Sequence, residues 1–220
     1  MTDESSASEI EPGVSRETLG SIFGGDEGVA RAETYVGLLA TEGITRGLIG
    51  PREVPRLWER HVLNSAVVAE LIDSRSEVLD VGSGAGLPGL PIAIARPDLS
   101  VTLVEPMERR TVFLFEAVQE LGLDNVEVVR ARAEEVDPKG EADVVVSRAV
   151  APLGKLANWC LPLARTGGTM LALKGRSAAD EIERDKYKIR KAKGESPEIL
   201  TCGGEFLEVP TTVVSIVKAG

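Results

Sequence analysis

The sequence predicts an α/β fold: a doubly wound, mostly parallel sheet of seven strands, preceded by a helical extension. Two observations carry this prediction. From residue 77 onward, short runs rich in Val, Ile and Leu alternate with amphipathic segments, as strands do when helices connect them. The last two strand-like runs have no helical segment between them, so we expect a hairpin with an antiparallel edge strand.

The part of the chain before the sheet is predicted to be largely helical. Apolar residues at helical spacing predict helices over 15–40 and 54–72, and a stretch rich in Gly and Pro predicts a loop over 43–55. The residues before the first helix are acidic and polar, which is typical of disorder. We therefore expect a disordered acidic tail (1–14), and a helical extension (15–73) that forms one structural unit with the sheet domain (74–220).

The sheet domain is predicted as alternating elements bounded by turn-forming residues. The strands are expected at 77–81, 100–105, 126–130, 142–147, 168–173, 198–202 and 210–217. The helices are expected at 88–95, 107–121, 133–136, 153–163 and 177–191, and the third of these is a single short turn.

The composition excludes several classes of protein. The chain has 220 residues, of which 43% are hydrophobic, enough for the core of one domain. It has no signal-peptide pattern and no apolar run of about 20 residues. Its two cysteines and single histidine offer neither a disulfide framework nor a metal site. We expect a cytoplasmic monomer with reduced thiols, no metal and no membrane association.

The charge is unevenly distributed along the chain. A net charge of −10 disfavours a nucleic acid partner when it is taken alone. Residues 174–193, however, carry eight Lys or Arg and only four Asp or Glu, and such a local excess of bases can contact phosphate. The alternative interpretation is a solvated helix on which acids and bases pair along one face.

The most informative segment is 78–89, Val-Leu-Asp-Val-Gly-Ser-Gly-Ala-Gly-Leu-Pro-Gly. It predicts a buried strand that ends in a glycine-rich turn, followed at once by a helix. Glycines at such a turn let the backbone approach a ligand closely, because no Cβ is in the way. The next strand ends at Glu105, roughly 20 residues later, where a carboxylate can accept the hydroxyls of a ribose. We therefore expect a ligand with an adenosine-like ribose at this edge.

Two cofactors compete for this predicted site. Residues 84–89 match the dinucleotide pattern G-x-G-x-x-G, whereas residues 80–86 match the pattern D-x-G-x-G-x-G of S-adenosylmethionine enzymes. The second alignment explains the acid at the strand end and places the first glycine directly after the strand. The first puts Pro88 into a phosphate-binding turn, where it removes an N–H donor. S-adenosylmethionine is therefore favoured, with a nicotinamide dinucleotide as the alternative.

An arginine, Arg148, follows Ser147 at the end of the fourth predicted strand. A charge after a buried strand is costly unless it is paired. Arg148 is therefore either one member of a structural ion pair or, as we favour, a contact for the ligand. Methyltransferases that act on an exocyclic amine usually carry Asn/Asp-Pro-Pro-aromatic here, and this chain does not. Enzymes that methylate a pyrimidine carbon need a cysteine nucleophile, whereas Cys160 and Cys202 are predicted to be core or spacer residues.

Further polar residues are predicted at the same edge. The segment Arg132-Ala133-Glu134-Glu135 follows the third strand, where it can recognise an adenine edge, although acids also favour a helix start. Lys174 and Arg176 follow the fifth strand, and Arg60 and His61 lie on the polar face of the second predicted N-terminal helix. The alternative interpretation of Lys174 and Arg176 is a solvent-exposed strand end. The alternative interpretation of His61 is an ordinary surface residue.

Several of these segments together resemble one family. From about Trp58 onward the chain resembles the small-subunit ribosomal RNA guanine-N7 methyltransferases, also called the glucose-inhibited division protein B family. The Gly-Leu-Pro-Gly after the turn and the Ser-Arg-Ala after the fourth strand are uncommon among methyltransferases in general. The matching segments are 59–65, 80–89, 132–134, 147–150 and 173–175.

The resemblance implies a class I S-adenosylmethionine-dependent methyltransferase that acts on guanine N7 of 16S ribosomal RNA, at position 527 in the 530 loop. Guanine N7 has a lone pair and no proton, so its methylation needs no general base, and Arg148 is only a candidate positioning residue. An NAD-dependent oxidoreductase and a non-catalytic S-adenosylmethionine-binding protein remain the alternatives. Combined with the turn and strand arguments, the expected cofactor contacts are Gly82, Gly84, Leu87, Glu105, Ala133, Glu134 and Arg148.

The RNA itself is expected to lie on basic residues from two parts of the chain. We expect the substrate to be 16S ribosomal RNA in the context of a small subunit or an assembly intermediate, because the acidic chain needs help to hold RNA. The acidic N-terminal tail would face away from it. The expected contacts are Arg60, His61, Lys174, Arg176, Lys186, Lys188 and Lys191.

Overall fold

The computed structural model describes residues 10–137, 140–148 and 151–220. Residues 1–9 of the predicted tail (1–14), and residues 149–150 of the segment after the fourth strand, lie outside these ranges. The sheet has seven strands in the order β3-β2-β1-β4-β5-β7-β6, as a doubly wound fold requires. The strands are β1 (Glu77–Val81), β2 (Ser100–Val104), β3 (Val126–Val129), β4 (Ala142–Arg148), β5 (Ala164–Lys174), β6 (Gly194–Cys202) and β7 (Thr211–Lys218).

The predicted strand directions are confirmed. Strands β1 to β5 pair in parallel, whereas β7 is antiparallel to both β5 and β6. The chain reverses its direction of winding between β1 and β4, which are neighbours in the sheet. Ligands of such sheets bind in the crevice at the carboxyl ends of the strands, at this switch point.

Two helical layers cover the sheet. The extension packs with α4 and α5 over one face, in one continuous apolar core, and α6 and α7 cover the other face. None of the helices in the described ranges combines the length and the apolar character that crossing a bilayer requires. The helices are α1 (Arg16–Phe23), α2 (Asp26–Leu38), α3 (Asn64–Ala66), α4 (Gly89–Ala95), α5 (Glu108–Leu121), α6 (Leu153–Cys160) and α7 (Ala178–Lys191).

The extension is less regular than its sequence pattern predicts. The single helix expected over 15–40 is two helices, because Gly24 adopts a left-handed φ of 74° and ends α1. The expected loop over 43–55 already turns helical at Pro51, which begins a 3₁₀ segment. The helix expected over 54–72 is mostly 3₁₀ and π in type. A π turn suits the five-residue spacing of Leu57 and Val62, because both side chains are fully buried.

Three further expectations differ in detail from the structure. Strand β6 begins at Gly194 rather than at 198. Ile10 and Val14, expected in a disordered tail, are half-buried against the core of the extension. Strand β5 begins at Ala164 rather than at 168, because Gly167 and Gly168 form an irregularity inside the strand and not a turn before it. A Cβ on Gly168 would lie 2.9 Å from the carbonyl oxygen of Asp143, so the neighbouring strand requires glycine there.

The end of the β6–β7 hairpin holds the extension in place. The N–H of Gly203 donates to the carboxylate of Glu70, at 3.0 and 3.2 Å from its two oxygens. The hydroxyl of Thr211 donates to the carbonyl oxygen of Asn64 at 3.0 Å. A Cβ on Gly203 would lie 2.8 Å from Val67, so hairpin and extension are in close contact there.

Candidate functional site

The glycine-rich turn after β1 is held against the end of β2. The N–H groups of Gly82 and Ser83 both donate to the carbonyl oxygen of Val104, at 2.8 and 3.2 Å. Gly82, Gly84 and Gly86 have φ values of 76°, 60° and 97°, a region that strongly favours glycine. The turn therefore presents backbone, rather than side chains, to the space at the carboxyl edge of the sheet.

The backbone donors at the start of α4 are already used within the protein. The N–H groups of Gly86 and Leu87 donate to the carbonyl oxygen of Ser83, at 2.7 and 3.0 Å. The N–H of Gly89 donates to Oδ2 of Asp80 at 3.0 Å. A pyrophosphate needs free N–H groups at a helix N-terminus. The turn is therefore not built as a dinucleotide phosphate site.

Asp80 occupies the space behind this turn. Its side chain is completely buried, and its Oδ1 has no hydrogen-bond partner in the described part of the chain. Burial raises the pKa of this carboxyl from 3.8 to about 7, against the hydrogen bond from Gly89. Asp80 thus fixes the first turn of α4 rather than facing a ligand.

Glu105 lies just beyond the end of β2 and is 2% exposed. Its Oε2 accepts a hydrogen bond from the N–H of Gly84 at 3.0 Å, and its Oε1 accepts one from the N–H of Met107 at 2.9 Å. Nη1 of Arg110 lies 3.5 Å from Oε2. Backbone donors therefore fix the carboxylate at the cavity wall, and its remaining lone pairs can accept ribose hydroxyls.

Two adjoining cavities open at this edge of the sheet, and both are lined by Gly82, Pro106 and Met107. The first measures about 420 Å³ and is mainly apolar; Trp159 forms part of its wall. The second measures about 470 Å³ and is more polar. Together they suit an elongated ligand with an aromatic end and a charged end.

All seven residues predicted to contact a cofactor line these two cavities. Ala133 and Glu134 lie in the first, and Gly82 is shared by both. The others line the second: Gly84, Leu87, Glu105 and Arg148. Segments separated by more than 60 residues in the chain therefore meet at one place, as the rule for strand ends predicts.

Arg148 extends from the end of β4 to the extension and is largely buried. Its Nη1 donates to the carbonyl oxygen of His61 and to the hydroxyl of Ser65, both at 3.0 Å. Its Nη2 donates to the carbonyl oxygen of Arg60 at 3.0 Å and lies 2.7 Å from Nδ1 of His61. Burial lowers the pKa of Arg148 from its usual value. These acceptors are neutral groups, so Arg148 has structural hydrogen-bond partners but does not form the ion pair considered as the alternative.

His61 connects Arg148 to an acid. Its Nε2 lies 2.8 Å from Oε2 of Glu53, on the side away from Arg148. Burial lowers the pKa of His61 below its usual 6.5, and the nearby charge of Arg148 lowers it further, whereas Glu53 acts in the opposite direction. The hydrogen bond from His61 in turn lowers the pKa of Glu53. Glu53, His61 and Arg148 are thus joined by hydrogen bonds, and Arg148 lines the second cavity.

Sequence reasoning missed three parts of this site. The hydroxyl of Tyr35, on α2, donates to the carbonyl oxygen of Ala85 in the turn at 2.8 Å. Leu48 and Ile49 of the extension line the second cavity, and Trp159 of α6 lines the first. Only Tyr35 carried a signal, because a tyrosine on an apolar helix face needs a partner for its hydroxyl.

The basic residues predicted to hold RNA are divided between two layers. Arg60 and His61 belong to the extension on one face of the sheet, whereas Lys186, Lys188 and Lys191 lie on α7 over the other face. They do not form one surface across a cleft. The structure leaves Arg60, Arg176, Lys186, Lys188 and Lys191 exposed.

Several of these bases have partners in the protein. The side chain of Lys174 is only 9% exposed. Its Nζ donates to Oε2 of Glu181 at 2.9 Å and to the carbonyl oxygen of Ala151 at 3.0 Å. Lys188 pairs with the buried Asp185 at 3.0 Å, and Lys186 pairs with Glu183. Ion pairing along α7, the alternative interpretation of the charge run, is therefore present.

Comparison with known proteins gives a consistent family. The model of the GidB family, described as rRNA small subunit methyltransferase G, matches residues 29–209. A protein of Corynebacterium efficiens named ribosomal RNA small subunit methyltransferase G is 55% identical over 198 residues, which cover 89% of this chain and 84% of the relative. A protein of Rhodococcus jostii with the same name is 61% identical over 186 residues, which cover 83% and 82%.

Solved structures with low sequence identity share the fold. The crystal structure of M. jannaschii TYW2 in complex with AdoMet matches with a TM-score of 0.57 at 20% identity, covering 73% of this chain and 76% of that one. The tRNA (m1A58) methyltransferase TrmI from Aquifex aeolicus matches with a TM-score of 0.55 at 14% identity, covering 71% and 68%. The predicted fold, the class I S-adenosylmethionine-dependent methyltransferase fold, is thereby confirmed.

Proposed function

Because this chain belongs to the rRNA small subunit methyltransferase G family, we propose that it transfers a methyl group from S-adenosylmethionine to guanine N7 of 16S ribosomal RNA. The target we propose is position 527 in the 530 loop. The observation that carries the proposal is the pair of adjoining cavities at the carboxyl edge of the sheet, which bring all seven expected cofactor contacts together.

The residues present fit S-adenosylmethionine. The apolar first cavity, with Ala133 and Trp159 in its wall, suits an adenine ring, and the fixed carboxylate of Glu105 suits the ribose. The more polar second cavity, next to Gly84 and Arg148, suits the methionine end. The dinucleotide alternative is disfavoured because the donors at the start of α4 are already used.

The cofactor supplies a methyl group on a positively charged sulfur, which leaves as a neutral thioether when a nucleophile takes the methyl. Guanine N7 is suited to this reaction because its lone pair is free and no proton must leave. Among the described residues that line the second cavity, the two candidate bases are already engaged: Glu105 accepts hydrogen bonds from backbone N–H groups, and both ring nitrogens of His61 have partners. The protein therefore contributes by orienting the base and excluding water.

We propose that the RNA approaches from the side of the extension. Arg52, Arg56 and Arg60 are exposed and lie between two segments that line the second cavity, namely 48–49 and His61. The exposed bases Arg176, Lys186, Lys188 and Lys191 form a second set that a longer RNA would reach. Lys174 and His61 would have to leave their present partners before they could contact phosphate.

We propose further that the protein acts in the cytoplasm, as a monomer, on a small subunit or an assembly intermediate. An acidic chain gains little attraction from naked RNA, so ribosomal proteins are expected to assist its binding. Light scattering of the purified protein measures its molar mass, and a dimer would contradict the monomer.

Methyl transfer with radiolabelled S-adenosylmethionine tests this function. Small subunits and naked 16S RNA, both from cells lacking this protein, are incubated with it and then cleaved chemically at N7-methylated guanine. One labelled guanine at position 527 is expected, with more label in the particle than in naked RNA. Label on an exocyclic amine, on a ribose or on large-subunit RNA would contradict the proposal. Binding of the cofactor without transfer to any of these RNAs would favour the non-catalytic alternative.

A further inference from the structure

The contact between Arg148 and His61 allows only one arrangement of protons. A guanidinium has N–H donors and no acceptor, so Nδ1 of His61, 2.7 Å from Nη2 of Arg148, must hold a lone pair. The neutral imidazole then carries its proton on Nε2, which donates to Glu53 at 2.8 Å. The hydrogen bond to Glu53 thus fixes the tautomer and leaves the lone pair on Nδ1, the ring nitrogen next to Arg148.

We infer that His61 is a positioning residue: its Nδ1 lone pair, kept free by Glu53, holds the guanidinium of Arg148 at the wall of the cofactor cavity. The inference rests on the proposed function, because Arg148 matters only if that cavity takes the cofactor. A second proton on His61 would set an N–H against the N–H of Arg148, and two cations would lie in contact. The guanidinium would then lose one of its four acceptors.

The surroundings of His61 favour its neutral form. The charged groups that face it are Glu53 from the 3₁₀ segment, Arg60 on its own segment and Arg148 from β4. Glu105 and Arg110 line the same cavity. The side chain is only 12% exposed, so burial opposes protonation, and the charges of Arg148 and Arg60 act in the same direction, against the hydrogen bond to Glu53.

The chain has a single histidine, so the tautomer can be observed directly. In tag-free protein labelled with ¹⁵N-histidine, we expect a pyridine-type signal for Nδ1 and a pyrrole-type signal for Nε2, and a pKa below 6.5. Arg148→Met should raise the pKa of His61, because it removes a cation, and Glu53→Gln should lower it further, because it removes an anion. Glu59→Gln, on the same segment but exposed, should leave it unchanged. A proton on Nδ1 at neutral pH, or no response to Arg148→Met, would overturn the inference.

Two substitutions separate positioning from packing. In His61→Asn the amide oxygen takes the place of Nδ1 and still accepts from Arg148, whereas the longer side chain of His61→Gln reaches toward Glu53 instead. By calorimetry, the Kd for S-adenosylmethionine should stay within about threefold of the parent for the first variant. The Kd should rise about tenfold for His61→Gln, which corresponds to the loss of one hydrogen bond to a charged group.

Thermal unfolding of the two variants provides the control, and their Tm values are expected to agree. Equal Kd values for both variants would overturn the positioning role of His61. Failure of the parent protein to bind S-adenosylmethionine would instead overturn the proposed function. In that case the ¹⁵N experiment still tests the tautomer.

Discussion

The burial of Asp80 makes the stability of the fold depend on pH. Its pKa is about 7 in the fold and 3.8 in an exposed carboxyl. Between these pH values the folded protein keeps a proton that the unfolded chain has lost. The contribution of Asp80 to folding is therefore fully present below pH 3.8, and stability falls by about 1.4 kcal/mol for each pH unit as the pH rises toward 7.

We expect Asp80→Asn, which has the same shape and no charge, to gain stability relative to the parent as the pH rises from 4 to 7. Urea unfolding at several pH values measures this difference. Asp143→Asn is the control: hydrogen bonds from Glu77 and Arg165 lower the pKa of Asp143 from 3.8, so its contribution to stability is lost only as the pH falls below that value. The stability difference between Asp143→Asn and the parent should therefore change little from pH 4 to pH 7. The same stability difference between Asp80→Asn and the parent at pH 4 and pH 7 would contradict the expectation.

The turn offers a matched pair of glycines for a second test. A Cβ on Gly86 would overlap Cδ1 of Leu90 and would lie 3.1 Å from the hydroxyl of Tyr35, whereas a Cβ on Gly84 meets nothing closer than 3.8 Å. Both positions have positive φ, which costs an L-residue about 1–2 kcal/mol.

Gly84→Ala should therefore lower the free energy of unfolding by about that backbone cost. Gly86→Ala should lower it by about 1–3 kcal/mol more, because Leu90 or Tyr35 must move. Urea unfolding without ligand measures both changes. Equal losses would show that the backbone alone decides the cost and that the contact between α2 and the turn is loose.

At the scale of single residues, the sequence predicts the side chains that stand at strand ends and misses the contacts between distant segments. Glu105 and Arg148 could be found because each stands at the end of an apolar run, and parallel strands end at one edge. The partnership of Arg148 with His61 spans 87 residues, and no local pattern records it. The same holds for Tyr35, whose partner Ala85 lies 50 residues away.

Among the elements, the strands and the helical character of the extension were predictable, whereas the helix types within the extension were not. Strands β1 to β4 begin and end within one residue of their predicted bounds, because the runs of Val, Ile and Leu have sharp ends. The apolar residues over 54–72 have the spacing of a regular helix, but tertiary contacts select 3₁₀ and π turns over most of 51–71. This irregular backbone places the carbonyl oxygens of Arg60 and His61 where the guanidinium of Arg148 can donate to them.

At the scale of the whole molecule, the charge distribution predicts how RNA binding depends on salt. Each phosphate contact contributes about 0.7–0.9 to the slope of log K against log salt. With a short hairpin that carries only the target loop, replacing Arg52, Arg56 and Arg60 by Gln should lower the slope by about two units. Replacing Lys186, Lys188 and Lys191 by Gln should leave that slope unchanged.

With complete 16S RNA, both triple variants should lower the slope, because the RNA is then long enough to reach α7. S-adenosylmethionine binding, measured in parallel, should be the same for both variants and the parent. If only the lysine variant lowered the salt slope for binding of the short hairpin, the RNA would dock on α7. That result would contradict the proposed approach from the extension.

The contact between the β6–β7 hairpin and the extension affects how the protein folds during its synthesis. Glu70 and Asn64 find their partners at Gly203 and Thr211, more than 130 residues further along the chain. A nascent polypeptide can form the sheet around β1 and β4 early, but the extension that holds Arg148 lacks these two hydrogen-bonded contacts until Thr211 has left the exit tunnel. Because contacts this distant in sequence close slowly, cofactor binding should be a late event of biosynthesis, and nascent chains arrested before Gly203 should emerge without bound cofactor.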